Sequence, residues 1–148
     1  MEIEYQNHIT VEEYNTLRQS VGWNRIEAEQ AQTGLSNSTY QVKAVHGEEV
    51  VGMARLISDG GYVVLIADVI VRPDYQGKGV GKGMITRILE KIKGSLKDGQ
   101  CVFINLMAAE GREPFYRQFG FLERPAKGSG AGMSMKFQKH DGAFIRMD

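Results

Sequence analysis

The sequence predicts an α/β fold built on a mixed sheet, and three observations predict it. The run from Tyr62 to Val71 is almost wholly apolar, the composition of a central strand buried on both faces, with Asp68 as its one acidic interruption. Two turn signals, His46-Gly47-Glu48-Glu49 and Ser58-Asp59-Gly60-Gly61, separate strand-like segments at 39–46 and Val50 to Ile57 from that run. A glycine-rich loop then leads into a segment of helical periodicity and on to a further apolar run at 101–107. A strand–loop–helix–strand unit within one sheet implies parallel strands joined by a right-handed crossover.

The elements follow in order. Residues 1–6 are a candidate short strand. Thr10-Val11-Glu12-Glu13 is a capping box, so a helix starts there, with Tyr14, Leu17 and Val21 as its apolar stripe and Gly22 as its stop. Residues 25–33 have the composition of a second short helix. After the glycine loop, Val80, Met84, Ile85, Ile88, Leu89 and Ile92 recur at helical spacing over 80–93, opposite Lys82, Arg87, Glu90, Lys91 and Lys93, with Gly94 as the stop. Glu113 to Phe119 is a candidate short helix and Met133 to Phe137 a last strand, and the tail from Gln138 is expected to be loosely held. No linker or repeat divides the chain, so 1–148 is expected to be a single domain with its core in 1–137 and a short tail at 138–148.

Bulk composition narrows the function classes. A hydrophobic content of 42% with 24% charged residues suits a folded domain of 148 residues. Lys+Arg and Asp+Glu both number 18, so the basic excess typical of a nucleic-acid partner is missing. One cysteine, Cys101, excludes an internal disulfide and a cysteine-rich metal site, and no metal is expected. Cys101 opens a strand-like run and is read as a small core residue, not a nucleophile. The opening Met1-Glu2-Ile3-Glu4-Tyr5 lacks the apolar stretch of a signal peptide, and no run reaches the roughly 18 apolar residues of a membrane span. The expected location is cytoplasmic, with no membrane partner.

The strongest chemical signal is the loop. Gly77, Gly79, Gly81 and Gly83 alternate with Lys78, Val80 and Lys82 at the start of a helix. Glycine lets a ligand approach the backbone, and a helix N-terminus offers unpaired N–H groups and a partial positive charge, so the segment reads as an anion cradle suited to phosphate. The bland alternative is a tight glycine-rich connection. Two common phosphate motifs miss by spacing: a Walker loop counted from Gly77 needs glycine at residue 82, which is lysine, and the dinucleotide pattern ends on Lys82 or Met84.

A different pattern fits. Gln76-Gly77-Lys78-Gly79-Val80-Gly81 resembles the Gln/Arg-x-x-Gly-x-Gly/Ala motif of the GNAT acetyltransferases, and the stretch from Asp68 to Gly79 resembles that family throughout. A second segment at the family's distance is Phe115-Tyr116-Arg117-Gln118-Phe119-Gly120-Phe121. The order of elements is similar from residue 1 to about 137.

The resemblance implies a GNAT fold, a splayed central sheet flanked by helices, and direct acetyl transfer from acetyl-CoA to a primary amine. It implies that backbone amides of Gly77, Lys78, Gly79, Val80, Gly81 and Lys82 hold the CoA pyrophosphate, with Gln76 also among the cofactor-binding residues. The main chain of Val69, Ile70 and Val71 would run beside the pantetheine arm, with the Val71 amide polarising the thioester carbonyl. Tyr116 matches the family tyrosine that protonates the departing thiolate, which a phenol of pKa about 10 can do; otherwise it is a core aromatic. Many relatives carry a glutamate base where Leu65 stands here, and an asparagine where Ala109 stands. Asp68, the one carboxylate in the strand, is then the candidate base, with a structural carboxylate as the alternative.

Trp23 is a candidate to stack on the acceptor or to pack between helix and sheet, and Arg55 to bind an acidic group or to be a solvated strand arginine. Gly128 to Gly132 is a candidate mobile loop over the pocket or merely a flexible connection, and the histidines have no ligand spacing. The acceptor expected is a small-molecule amine, set against a protein lysine or N-terminus and against a non-catalytic acyl-CoA-binding module. Relatives are often dimers, so the resemblance leans to a homodimer.

Overall fold

A computed structural model describes residues 1–147. The chain resolves into two compact units, one of residues 1–106 and one beginning at Met107. The first unit holds β1 (Glu4–Gln6), α1 (Val11–Ser20), α2 (Ala28–Ser36), β2 (Tyr40–His46), β3 (Glu49–Ser58), β4 (Val63–Val71), α3 (Val80–Ser95) and β5 (Phe103–Leu106). The second holds α4 (Glu113–Arg117), β6 (Phe137–His140) and β7 (Ala143–Arg146).

The first unit is a five-stranded mixed sheet in the order β1-β2-β3-β4-β5, antiparallel except for the parallel pair β4 and β5. α3 is the crossover that joins the parallel pair. Alternation along β3 sorts the helices onto opposite faces. Gly52 lies against Val80 and Met84 of α3, so closely that a β-carbon there would meet Met84 Cε at 3.1 Å. Its neighbour Met53 belongs to the core formed with Tyr14 and Leu17 of α1, Ala31 and Leu35 of α2, and Ile70 of β4.

α1 begins as its capping box requires. Thr10 Oγ1 accepts from the Glu13 amide at 3.1 Å, and Glu13 Oε1 accepts from the Thr10 amide at 2.9 Å. Glu13 then accepts from buried Lys43 of β2 at 2.9 and 3.0 Å, so the cap also fastens α1 to the sheet. Buried Asn15 holds the chain between α1 and α2 by pairing with both backbone groups of Ile26.

Four expectations need correction. β4 is not buried on both faces: Val64 and Ile66 are buried, but Val63 is 53% and Leu65 38% exposed. Leu65 pairs with Ile57 and Val63 with Phe103, so these form one apolar patch, whereas α1 and α2 meet that face only around Met53 and Ile70. Gly94 lies inside α3, which runs on to Ser95. Cys101 is exposed, because a turn closed by the Gln100 amide on Lys97 precedes β5, which starts two residues after the cysteine. The strand expected over Met133 to Phe137 only begins at Phe137, and the expected loose tail is a hairpin, β6 with β7, turning on Asp141 and Gly142 with φ of 48° and 78°. Consecutive positive φ values on Asp-Gly are the signature of a type I′ hairpin turn.

Candidate functional site

The site of the first unit lies where β4 ends and α3 begins. β4 pairs with β5 only from Val63↔Phe103 to Ile66↔Leu106. Beyond Ile66 that side of the strand has no partner strand among the described residues. On its other side β4 stays paired with β3, but the register slips: Arg55 faces Ala67 while Met53 faces Ile70. β4 therefore carries one extra residue there, a bulge, the usual device for ending a ladder or re-aiming a strand. Asp68 sits in it with φ of 52°, a left-handed conformation that β-branched residues avoid and that aspartate adopts at a modest cost of about 1 kcal/mol.

The strand's end has a defined orientation. The Arg72 amide donates to Val51 O at 2.8 Å, so residue 72 faces β3. Amides alternate along an antiparallel strand. Ile70 therefore also turns its polar groups toward β3, while Val71 turns its own toward the open side. The Val71 carbonyl is taken by Gln76 Nε2 at 2.9 Å, which folds the motif's glutamine back onto the strand. A single 3-10 turn, Pro73–Tyr75, makes the connection. Tyr75 is held by His46 Nδ1 at 2.7 Å, and Lys78 Nζ lies 5.5 Å from its ring centre.

Gly77 and Gly79 both have positive φ, 75° and 84°, and Gly79 is the N-cap of α3. A β-carbon built on either would meet nothing within 4 Å, so the space above the turn is open. The first helical bond is from Gly83 to Gly79 O, which leaves the amides of Val80, Gly81 and Lys82 ahead of it without helical acceptors. The N-cap, a glycine, supplies no side-chain cap, and the first turn holds no acidic residue. Such a helix start, with exposed Lys78 and Lys82 beside it, has the donors and the charge that could hold an anion. Gly83 is not part of it: it faces Tyr5 of β1, and Val80 turns its buried side chain onto Gly52.

Asp68 is the centre of an ion cluster. Oδ1 accepts from Arg18 Nη1 at 3.1 Å; Oδ2 accepts from the Tyr14 hydroxyl at 2.9 Å and from Arg55 Nε at 2.9 Å, with Arg55 Nη2 also at 2.9 Å. Arg55 is no solvated strand arginine: its side chain is 12% exposed, and Nη1 continues to Gly34 O and Ser38 Oγ of the α2 end at 3.0 and 2.9 Å. Burial first, then the charge of Asp68 and the bond to it, push the Tyr14 phenol above its ordinary value, so it stays a donor. Trp23 is half-buried against the α1 core, with the Arg18 guanidinium 5.3 Å from its ring centre. Tyr14 and Arg18 were not picked out from the sequence as site residues. Their spacing of four on one helix, which puts both on the same face, was the available signal.

Tyr116 belongs to the second unit. It is 8% exposed on α4, packed edge-to-face with Phe115 and Phe121 at 4.9 and 6.1 Å between centroids. Burial pushes its phenol up to about 12, against a smaller opposing effect of Arg112.

Residues 37–123 match the acetyltransferase (GNAT) domain family. An uncharacterised N-acetyltransferase, ycf52, of the red alga Pyropia yezoensis is 30% identical over 80% of this chain and 68% of its own. A soybean (Glycine max) protein named histone acetyltransferase TAP1 is 33% identical over 79% of this chain, which spans only 54% of that protein's length. The crystal structure of a probable acetyltransferase of unknown function from methicillin-resistant Staphylococcus aureus superposes with a TM-score of 0.82 at 29% identity, covering 91% of this chain and 99% of that one. With its five-stranded mixed sheet, its open strand edge and its left-handed glycine turn ahead of α3, the chain belongs to the GNAT acetyltransferase family.

Proposed function

We propose that this acetyltransferase moves acetyl from acetyl-CoA directly to the primary amine of a small molecule. The observation that carries the donor half is the turn at Gly77 and Gly79, whose positive φ values and open space stand at an uncapped helix N-terminus. The amides of residues 77–82 hold the pyrophosphate, with Lys78 and Lys82 adding charge. Acetyl-CoA supplies an activated thioester.

The residues of the chain do the rest. The open side of β4 offers backbone groups to the pantetheine arm, and the Val71 amide donates to the oxygen that gathers charge during transfer. Gln76 fixes that amide by holding the carbonyl of the same residue. Tyr116 keeps its proton across the physiological range and gives it to the leaving thiolate, and the proton that the amine nitrogen sheds on becoming the amide restores the phenol through solvent.

Balanced charge, 18 basic against 18 acidic residues, supports a small acceptor over a strongly charged macromolecular one. A protein lysine is the second reading, favoured by the name of the soybean relative. Release of free thiol from acetyl-CoA across a panel of small amines and lysine peptides tests both. Turnover on small amines is the expected result. Turnover on peptides alone overturns the acceptor assignment, and thiol release from neither, with acetyl-CoA bound, leaves a non-catalytic acyl-CoA-binding module.

A further inference from the structure

The bulge in β4 needs something to hold it. Its central residue is a non-glycine in the left-handed region, and the strand around it has lost β5 on one side and normal register with β3 on the other. What surrounds Asp68 is a set of three ties from two elements. Tyr14 and Arg18 reach it from α1. Arg55 reaches it from β3, the strand across the bulge, and passes the connection on to Gly34 and Ser38. Both carboxylate oxygens are occupied, and the Asp68 side chain is 14% exposed. Three of the roughly four acceptor positions of the carboxylate are thus engaged by Tyr14, Arg18 and Arg55.

We infer that Asp68 is a positioning residue and not the proton acceptor: tied by Tyr14, Arg18 and Arg55, it holds the bulge that turns the open edge of β4, as far as Val71, toward the acyl-CoA arm. This rests on the acyl-CoA reading of that edge. Tyr14 and Arg55 are part of the same device, joining α1 and β3 to one carboxylate, and Arg18 is kept in place by its Nε bond to Asn24 O at 2.7 Å and by Trp23.

The test uses the full chain and four variants. Asp68→Asn keeps a residue that tolerates the left-handed conformation and still accepts from Tyr14. Asp68→Ala loses both, Arg55→Met removes the tie from β3, and Arg55→Lys restores its charge. Two readouts are taken: acetyl-CoA affinity by calorimetry with the pH profile of kcat/KM, and hydrogen exchange of the amides of residues 67–71 in the ligand-free protein. Asp68→Ala and Arg55→Met are expected to weaken acetyl-CoA binding by about tenfold and to speed exchange at residues 67–71. Asp68→Asn and Arg55→Lys should lose less of both than Asp68→Ala and Arg55→Met, with the limbs of the pH profile unmoved. A proton acceptor gives the opposite pattern: Asp68→Asn abolishes or shifts a limb of the profile while affinity and exchange stay as in the wild type, and that result overturns the inference. Unchanged exchange in Asp68→Ala overturns it as well. The exchange measurement needs no ligand, so it decides the role of Asp68 even if the wild type binds no acetyl-CoA, a result that would sink the proposed function separately.

Discussion

Tyr5 fills the space that a side chain at Gly83 would need. A β-carbon built on Gly83 falls under 3.0 Å from both Oη and Cζ of Tyr5, whose ring also carries the Arg87 guanidinium 3.7 Å from its centre. The edge strand β1 is thus seated on α3 through a glycine inside the helix. Gly83→Ala should gain about 1 kcal/mol of helix propensity and lose about 1–3 kcal/mol to overpacking. Net destabilisation is expected in chemical denaturation. In a Tyr5→Ala background the same change should turn neutral or stabilising, and a double-mutant cycle measures the reversal.

Gly79 is constrained differently. Its β-carbon would point into open space, but its φ of 84° is left-handed. Gly79→Val should cost about 1–2 kcal/mol of stability from backbone conformation, and by crowding the cradle should weaken acetyl-CoA binding by roughly tenfold or more. Calorimetric titration that finds unchanged affinity would remove the turn from the binding site. Gly83→Ala should leave affinity alone.

Gln76→Ala removes the hydrogen bond to the Val71 carbonyl. One such bond is worth about 1 kcal/mol, or about fivefold in affinity, if it serves to fix the strand end for its ligand. The expected result is a raised Kd for acetyl-CoA with a smaller fall in melting temperature.

Tyr116→Phe separates chemistry from binding. Turnover should fall about a hundredfold with little change in acetyl-CoA affinity; unchanged turnover on a good substrate removes the acid role. The same residue makes a pH prediction. Its folded value, about 12, lies above the ordinary 10.0, so its contribution to stability is complete below pH 10 and is lost as pH rises toward 12. Urea unfolding across that window should show a decline that is reduced in Tyr116→Phe.

Glu13 acts at the other end of the scale. Burial alone would raise its pKa, but the Thr10 amide and Lys43 hold it below the ordinary 4.5. Its contribution is therefore present above pH 4.5 and lost as the carboxyl protonates at lower pH. Glu13→Gln should be less stable than the wild type at neutral pH, and the difference should shrink on acidification, as followed by thermal melts.

Local chemistry made much of this legible. The capping box placed α1 because Thr10 and Glu13 are three residues apart, and the glycine loop marked the β4–α3 junction because only glycine takes its φ values freely. The ion cluster was not legible, because Arg18, Arg55 and Asp68 are brought together by the packing of α1 and β3 around a bulge that no hydrophobic pattern announces. The apolar run of β4 read as a doubly buried strand because composition does not record where α1 and α2 stop covering the sheet. The β6–β7 hairpin was missed despite its Asp141-Gly142 signal, since the strands that flank it mix Lys, His and Arg with their apolar residues.

β5 leaves β4 at Ile66, and a sheet that stops pairing there has an unfilled place in it. If acyl-CoA takes that place, the ligand acts as a temporary strand, and the folded state becomes more stable with the logarithm of its supply. Mass action sets the size: a ligand at a hundred times its Kd adds about 2.7 kcal/mol. The lifetime of the protein against unfolding and proteolysis would then follow the abundance of acyl-CoA around it.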